Sequence, residues 1–158
     1  MARGCHTPSR HLPAPNCYLL THNSQLKASV FGARDPALVA DIGRFCRQIS
    51  REFKPGSVWV NVVFVNNRQI HALNSRFLRR DRPTDVLSFN SDAPAVPGEP
   101  RLLGEVYVSR EQARIQAREY GVTYASELRR LVLHGLLHLL GLTHRQMQQY
   151  QRRYLCER

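Results

Sequence analysis

Hydrophobic and polar residues follow two different periods along this chain, and the change from one period to the other predicts both helices and strands. Between Asp35 and Pro55, apolar residues recur at every third or fourth position, which is typical of an amphipathic helix. Asp35-Pro36 places an N-cap residue before a proline at the first helical position, and Pro55-Gly56 ends the pattern. Capping residues and composition indicate four more helices, which begin at Asn66 or Asn67, after Ser109, at Thr123 and at Arg145.

Four other segments are rich in β-branched and aromatic residues and are predicted to be strands. They are residues 25 to 31, Val58 to Val65, Thr84 to Phe89 and Leu102 to Val108. Val58 to Val65 is almost continuously apolar, as expected of a strand that is buried on both faces. The proline-rich stretch Ser91 to Pro100 is predicted to be a loop. Strands and helices mixed in one small chain predict an α/β (α+β) sandwich, in which helices cover a short mixed β-sheet.

The length of 158 residues is that of one domain. Residues 1–24 contain three prolines and no acidic residue, so we expect a flexible N-terminal segment before a single domain at 25–158. A basic leader of this kind also resembles an organellar transit peptide, which is the alternative to the cytoplasmic location that we expect. No apolar run reaches membrane-spanning length, so we expect no membrane partner.

The four cysteines form no CxxC pair, which argues against a disulfide framework and against a thiolate zinc site. This cysteine usage is typical of a reducing compartment. Cys46 falls on the apolar face of the first helix and is predicted to belong to the core.

The charge balance indicates a polyanionic partner. Lysine and arginine number 23 against 12 acidic residues, which gives a formal net charge of +11. Only Lys27 and Lys54 are lysines. Guanidinium groups grip phosphate with two parallel hydrogen bonds, which suits nucleic acid. A GC-rich coding bias would explain arginine in place of lysine, but it would not explain the excess of basic over acidic residues, so we favour RNA or another polyanion.

Three histidines near the C-terminus have the spacing of a metal site. His134 and His138 are four residues apart, so on a helix both imidazoles project from one face and reach one ion. Gly141 permits a sharp left-handed turn that returns the chain, with His144 as a third ligand. Three neutral imidazoles leave one tetrahedral position open for water, which is the arrangement of a catalytic zinc site. We therefore predict one Zn²⁺ per chain, although nickel or copper would bind the same ligands.

Two other interpretations of these histidines are weaker. A lone histidine on an apolar helix is usually a core residue, but three unpaired imidazoles among leucines would cost several kcal/mol without a metal. The spacing is also similar to the long zincin motif of metalloproteases, in which a glutamate that acts as general base follows the first histidine. This chain has Gly135 at that position, so a peptidase is poorly supported.

The segment from His134 to His144, HGLLHLLGLTH, resembles the signature of the YbeY family, the zinc-dependent endoribonucleases of rRNA maturation. Two further blocks, Leu73 to Phe89 and Leu103 to Val106, resemble the central block and the LGDI strand of that family, in the same order. The resemblance covers roughly residues 25 to 156. It implies cleavage of single-stranded RNA in an rRNA precursor (16S-type 3′ end processing) and ribosome quality control. It also implies the small ribosomal subunit or its assembly factors as partners, and no DNA substrate.

The chain departs from the family pattern at two positions. Thr143 stands where an aspartate commonly precedes the third histidine. If that aspartate orients a metal ligand in the family, this chain lacks the residue for that role. Leu78 stands where many members carry an arginine that is implicated in catalysis or RNA binding. Arg79 and Arg80 are our candidates to take over the role of the arginine that is missing at position 78, and Arg76 is a further candidate.

Two acidic residues are candidates for proton transfer. Asp85 and Glu105 would accept or relay a proton if they lie beside the cleft. Their structural alternatives are a turn cap for Asp85 and a hydrogen bond to a histidine's far nitrogen for Glu105. Either a zinc-bound hydroxide or the 2′-hydroxyl of the RNA would attack the phosphate. A non-catalytic RNA- or ribosome-binding protein with a structural metal is the alternative from a different class.

Overall fold

The structure is a computed structural model that describes residues 18–20, 26–53, 57–94, 96–97 and 99–156. Strands and helices alternate along most of these residues, which confirms the predicted α/β class. The strands are β1 (Tyr18–Leu20), β2 (Leu26–Phe31), β3 (Val58–Val65), β4 (Val86–Asn90) and β5 (Arg101–Ser109). The helices are α1 (Pro36–Phe53), α2 (Asn67–Leu78), α3 (Arg110–Glu119), α4 (Tyr124–Leu139) and α5 (His144–Cys156).

The strands form one mixed sheet in the order β1-β2-β3-β5-β4. β2, β3 and β5 are parallel, whereas β1 is antiparallel to β2 and β4 is antiparallel to β5. The predicted short mixed sheet is therefore confirmed. β1 is a strand that we did not predict, and it lies within residues 1–24, where we expected flexibility. The remaining residues of that segment lie outside the described part of the chain.

Side-chain caps explain where two of the helices begin. α1 begins after Asp35, whose Oδ1 accepts a hydrogen bond of 2.9 Å from the backbone N–H of Ala37, as the Asp-Pro sequence predicted. α2 begins after Asn66, which accepts from the backbone N–H of Gln69, while the Gln69 side chain accepts from the N–H of Asn66. This reciprocal capping box decides between the two candidate asparagines. The predicted end signal of α1, Pro55-Gly56, lies outside the described residues.

The observed strands follow the predicted ones closely. β3 has the predicted bounds, and seven of its eight residues are buried, which confirms a strand buried on both faces. β4 begins at Val86 rather than at Thr84, because the Asp85 carboxylate accepts the backbone N–H of Val86 at 2.9 Å and forms a turn there. The described residues of the stretch from Ser91 to Pro100 contain no helix or strand, as predicted.

Helices cover both faces of the sheet. α1 and α4 pack on one face, against side chains that include Val62 and Val106. α2 packs on the other face, where Ile70 and Tyr107 belong to a smaller apolar cluster. Successive residues of a strand point to opposite faces, so Val106 faces α4, whereas Glu105 and Tyr107 face α2.

The larger apolar cluster of the core lies around α1 and α4. Cys46 of α1 has no exposed surface, and its burial raises the pKa of its thiol to about 12, so it is a core residue as predicted.

Among the helices in the described residues, none combines the length and the apolar character needed to cross a membrane.

Candidate metal centre

The turn between α4 and α5 brings the three predicted histidines together. His134 and His138 lie one helical turn apart on α4, and His144 is the first residue of α5. Between them, Gly141 has a φ of +78°, the left-handed conformation that its sequence position predicted. The N–H of Gly141 donates to the carbonyl oxygen of His138 at 2.9 Å, which closes the end of α4 and reverses the chain.

The imidazole nitrogens converge on one point. One nitrogen from each of the three rings lies within 4.8 Å of the corresponding nitrogens of the other two. The Nε2 atoms of His134 and His138 are 3.1 Å apart, and the His144 ring centroid lies 5.0 Å from that of His138. With Zn–N bonds of about 2.0–2.1 Å, the nitrogens of a tetrahedral site are on the order of 3.4 Å apart. The three side chains can therefore hold a single metal ion.

The surroundings of the two α4 histidines favour their neutral form. Burial, the neighbouring His138 and the guanidinium of Arg130 lower the pKa of His134 from 6.5 to about 4. The negative charge of Asp85 opposes this shift. Burial and His144 also lower the pKa of His138. Neutral imidazole is the form that binds a metal, so both α4 histidines are available as ligands at neutral pH.

Gly135 allows α4 to lie close to the sheet. A Cβ added at this position would be 3.0 Å from Oγ of Ser88, 3.1 Å from Cγ2 of Val106 and closer still to Cγ1 of Val106. The Ser88 hydroxyl also donates to the carbonyl oxygen of Gly135 at 3.2 Å, which ties β4 to α4. Position 135 thus faces the sheet rather than the histidines, and the glutamate base of a zincin peptidase would not fit there.

The structure does not bring Glu105 to the histidines. Its carboxylate accepts hydrogen bonds from Nδ2 of Asn61 at 3.2 Å and from the Tyr107 hydroxyl at 2.7 Å. These three side chains lie on the α2 face of the sheet, and α4 lies on the opposite face. The contact that we predicted between Glu105 and a histidine nitrogen is therefore not made, because the pleat of β5 turns this side chain away from α4.

Asp85 immediately precedes β4. Its Oδ1 accepts hydrogen bonds from the backbone N–H of Val86 and from the Thr84 hydroxyl, and its Oδ2 accepts from Nε2 of Gln116 at 3.1 Å. The turn cap that we predicted as its structural role is thus observed. Its charge also acts on His134, which keeps Asp85 a candidate for proton transfer.

Arg79 and Arg80 follow the C-terminus of α2 and are exposed. Arg79 caps that helix in the left-handed conformation, with a φ of 55°. Within the described part of the chain, neither guanidinium forms a hydrogen bond or an ion pair with another residue. Leu78, at the position where the family pattern has an arginine, is 47% exposed. A role of Arg79 or Arg80 in holding phosphate stays a prediction.

Two residues beside the histidines were missed by the sequence analysis. Arg130 lies one turn before His134 on α4, and its Nε donates at 2.9 Å to the carboxylate of Glu127, which is 1% exposed. Gln151 of α5 places its Nε2 2.9 Å from Nδ1 of His134. The four-residue spacing of positions 130, 134 and 138 would have indicated Arg130, but no local pattern indicates the contact between Gln151 and His134.

Comparisons with known proteins identify the family of this chain. A sequence model of the family described as endoribonuclease YbeY matches residues 25–155. The chain is 39% identical over 97 residues to the endoribonuclease YbeY of Sulfurihydrogenibium sp., a match that covers 61% of this chain and 63% of that protein. The match to the protein of the same name from a Picosynechococcus species is 48% identical over 86 residues and covers 51% and 53% of the two chains. The matched segments thus span less than two thirds of these relatives.

A solved structure is also similar over most of the chain. The solution structure of a Thermotoga maritima protein has a TM-score of 0.57 and 32% sequence identity to this chain. The match covers 81% of this chain and 86% of that one. The family match includes every strand and helix described here except β1 and the last residue of α5, and it contains all three histidines. This chain belongs to the endoribonuclease YbeY family.

Proposed function

We propose that this protein is a zinc-dependent endoribonuclease that cleaves single-stranded RNA. The observation that supports this most strongly is the convergence of His134, His138 and His144, whose nitrogens lie within 4.8 Å of one another. Three imidazole ligands leave a coordination position open for water or substrate, which distinguishes a catalytic zinc site from a structural one. The family is described as an endoribonuclease, which supports RNA cleavage.

The mechanism follows from the groups around the three histidines. When bound, zinc supplies a Lewis acid for a phosphoryl oxygen and lowers the pKa of a bound water. His134, His138 and His144 hold the ion, and Asp85 accepts the proton of the attacking group. Arg79 and Arg80 neutralise the phosphate from the loop that precedes β4. Glu105 has no part in this proposal, since its carboxylate lies on the opposite face of the sheet.

The substrate that we propose is the 3′ region of an rRNA precursor, in maturation and in ribosome quality control. The net charge of +11 supports a polyanionic substrate, and it also suits contact with the small ribosomal subunit or its assembly factors. A function on these partners would be cytoplasmic, which is the location that we propose.

The test is cleavage of a labelled rRNA fragment that carries a single-stranded 3′ tail. We compare the wild type, the wild type after removal of metal by a chelator, the same sample after addition of zinc, and His138→Ala. His71→Ala is the matched control, because His71 lies on α2 and its Nε2 contacts Asp81 at 2.7 Å, away from the triad. We expect cleavage by the wild type, the zinc-restored sample and His71→Ala only.

Three results would contradict the proposal in different ways. Cleavage by His138→Ala at the wild-type rate would mean a different site or a contaminant. Binding of RNA and zinc without cleavage in any form would favour the non-catalytic RNA-binding protein, which the exposed Leu78 in place of an arginine supports. Cleavage of a duplex as fast as the single-stranded tail would exclude the proposed specificity.

The attacking group needs its own experiment. A substrate with one 2′-deoxynucleotide at the scissile position lacks the internal nucleophile. We expect this substrate to be cleaved at the same position, because an ion held by His134, His138 and His144 would supply an activated water as the nucleophile. Loss of cleavage at that position alone would indicate attack by the 2′-hydroxyl.

A further inference from the structure

Gln151 connects the last helix to the first metal ligand. It lies seven residues after His144, two turns further along the same face of α5. Its amide Nε2 is 2.9 Å from Nδ1 of His134, in a partly buried contact. One helix thus contributes both a ligand, His144, and a side chain that contacts another ligand.

The positions of the ring nitrogens decide which atom of His134 binds the metal. Nε2 of His134 faces Nε2 of His138 at 3.1 Å, so Nε2 is the ligand atom and Nδ1 is the far nitrogen. A neutral imidazole carries its proton on only one of the two nitrogens. Metal binding through Nε2 therefore requires the proton on Nδ1, which must then find an acceptor.

The Gln151 amide can form a hydrogen bond with either tautomer of His134. Its nitrogen donates to an unprotonated Nδ1, and after rotation of the amide by 180° its oxygen accepts from a protonated Nδ1. The first arrangement leaves the proton of His134 on Nε2, where it blocks the metal. The second places the proton on Nδ1 and frees Nε2 for coordination.

In the part of the chain that the structure describes, the other candidates for this acceptor make no hydrogen bond to His134. Glu105 lies across the sheet, and Asp85 accepts hydrogen bonds from Val86, Thr84 and Gln116. The hydroxyl of Thr143, the residue before His144, donates to Oε1 of Gln146 at 2.8 Å, which places it at the N-terminus of α5. Among the described residues, Gln151 is the side chain within hydrogen-bond distance of Nδ1 of His134.

We infer that Gln151 is the positioning residue of the metal centre: its amide oxygen accepts the Nδ1–H of His134 in the zinc-bound protein and thereby holds Nε2 toward the ion. This inference rests on the metal site of the proposed function and adds the residue that selects the tautomer of its first ligand. Partners of this kind typically change metal affinity by about 10–100-fold when they are removed.

The test compares zinc affinity, measured by competition with a chelator, in the full-length protein and three variants. Gln151→Met keeps the length and helix propensity of the side chain but removes the acceptor, so we expect zinc affinity to fall by about 10–100-fold. Gln151→Glu keeps an acceptor and should bind zinc at least as tightly as the wild type. Gln148→Met is the control, because Gln148 is exposed on the same helix.

A second readout reports the tautomer directly. Two-bond ¹H–¹⁵N correlation spectra of the zinc-bound protein should show His134 protonated at Nδ1 in the wild type and in Gln151→Glu. This spectrum is independent of RNA cleavage, and it also shows whether a variant is folded.

The possible outcomes separate this inference from the proposed function. Wild-type zinc affinity in folded Gln151→Met would overturn the positioning role and leave the metal site intact. Equal losses in Gln151→Met and Gln151→Glu would overturn the assignment of the amide oxygen as acceptor. If the wild-type protein binds no zinc, both the inference and the proposed function fall.

Discussion

Replacement of Gly135 by alanine is expected to destabilise the protein, although alanine is the better helix former. The added Cβ would lie 3.0 Å from Oγ of Ser88 and 3.1 Å from Cγ2 of Val106, and closer still to Cγ1 of Val106. Non-bonded carbon atoms in proteins prefer separations of about 3.5–4.0 Å. Either α4 or β5 must therefore move to admit the methyl group.

The size of the effect follows from two opposing contributions. Overpacking of a well-packed core costs about 1–3 kcal/mol, whereas alanine in place of glycine stabilises a helix by about 1 kcal/mol. Val106 is 0% exposed and β-branched, so its side chain cannot rotate freely out of the way, and the upper part of the overpacking range applies. We expect a net loss of about 1–2 kcal/mol, which lowers the melting temperature by about 2–8 °C.

The assay is urea denaturation of the metal-free Gly135→Ala, Val106→Ala and double variants. Val106→Ala alone should destabilise by leaving a cavity next to α4. In the double variant the new methyl group occupies part of that cavity, so the loss should be smaller than the sum of the single losses. Strictly additive losses, or wild-type stability of Gly135→Ala, would refute the close approach of α4 to β5.

Three further predictions use the same unfolding assay. Arg130→Met should lower the free energy of unfolding by about 3–5 kcal/mol, because it leaves the carboxylate of Glu127 buried and unpaired. The double variant Arg130→Met/Glu127→Gln should recover part of this loss. Equal stability of Arg130→Met and the wild type would contradict the ion pair. Folding lowers the pKa of His134 from 6.5 to about 4, so between these pH values the unfolded chain binds a proton that the folded chain does not. The metal-free protein should therefore lose stability as the pH falls from 6.5 to about 4. His134→Asn should weaken that dependence, and an unchanged pH profile would argue against the shift. Asn66→Ala should cost about 1 kcal/mol through loss of the capping box, and no change would mean that water replaces the cap.

The sequence predicted the parts of the fold that local patterns determine. The bounds of β3 and the start of α1 were predicted correctly, because an apolar run and an Asp-Pro cap are both contiguous in the chain. The histidine triad was predicted for the same reason: its geometry depends on one helical turn and one left-handed glycine within residues 134–144.

Contacts between distant segments could not be predicted in this way. The choice of sheet face for Glu105 depends on the pleat and register of β5 against β3 and β4, and a shift by one residue would have turned its carboxylate toward α4. The pairing of β1 with β2 is likewise a long-range contact. Gln151 reaches His134 only because the turn at Gly141 folds α5 back on α4.

The structure also changes the reason for rejecting a peptidase. In the sequence, Gly135 is only the absence of a glutamate base after the first histidine. In the structure, a Cβ at position 135 would meet Val106 and Ser88, so the sheet leaves no room for a glutamate there. The mechanism that we propose therefore takes its proton acceptor from outside α4. Among the described residues, Asp85 is the carboxylate whose charge acts on the pKa of His134, which makes it the acid to test first for that role.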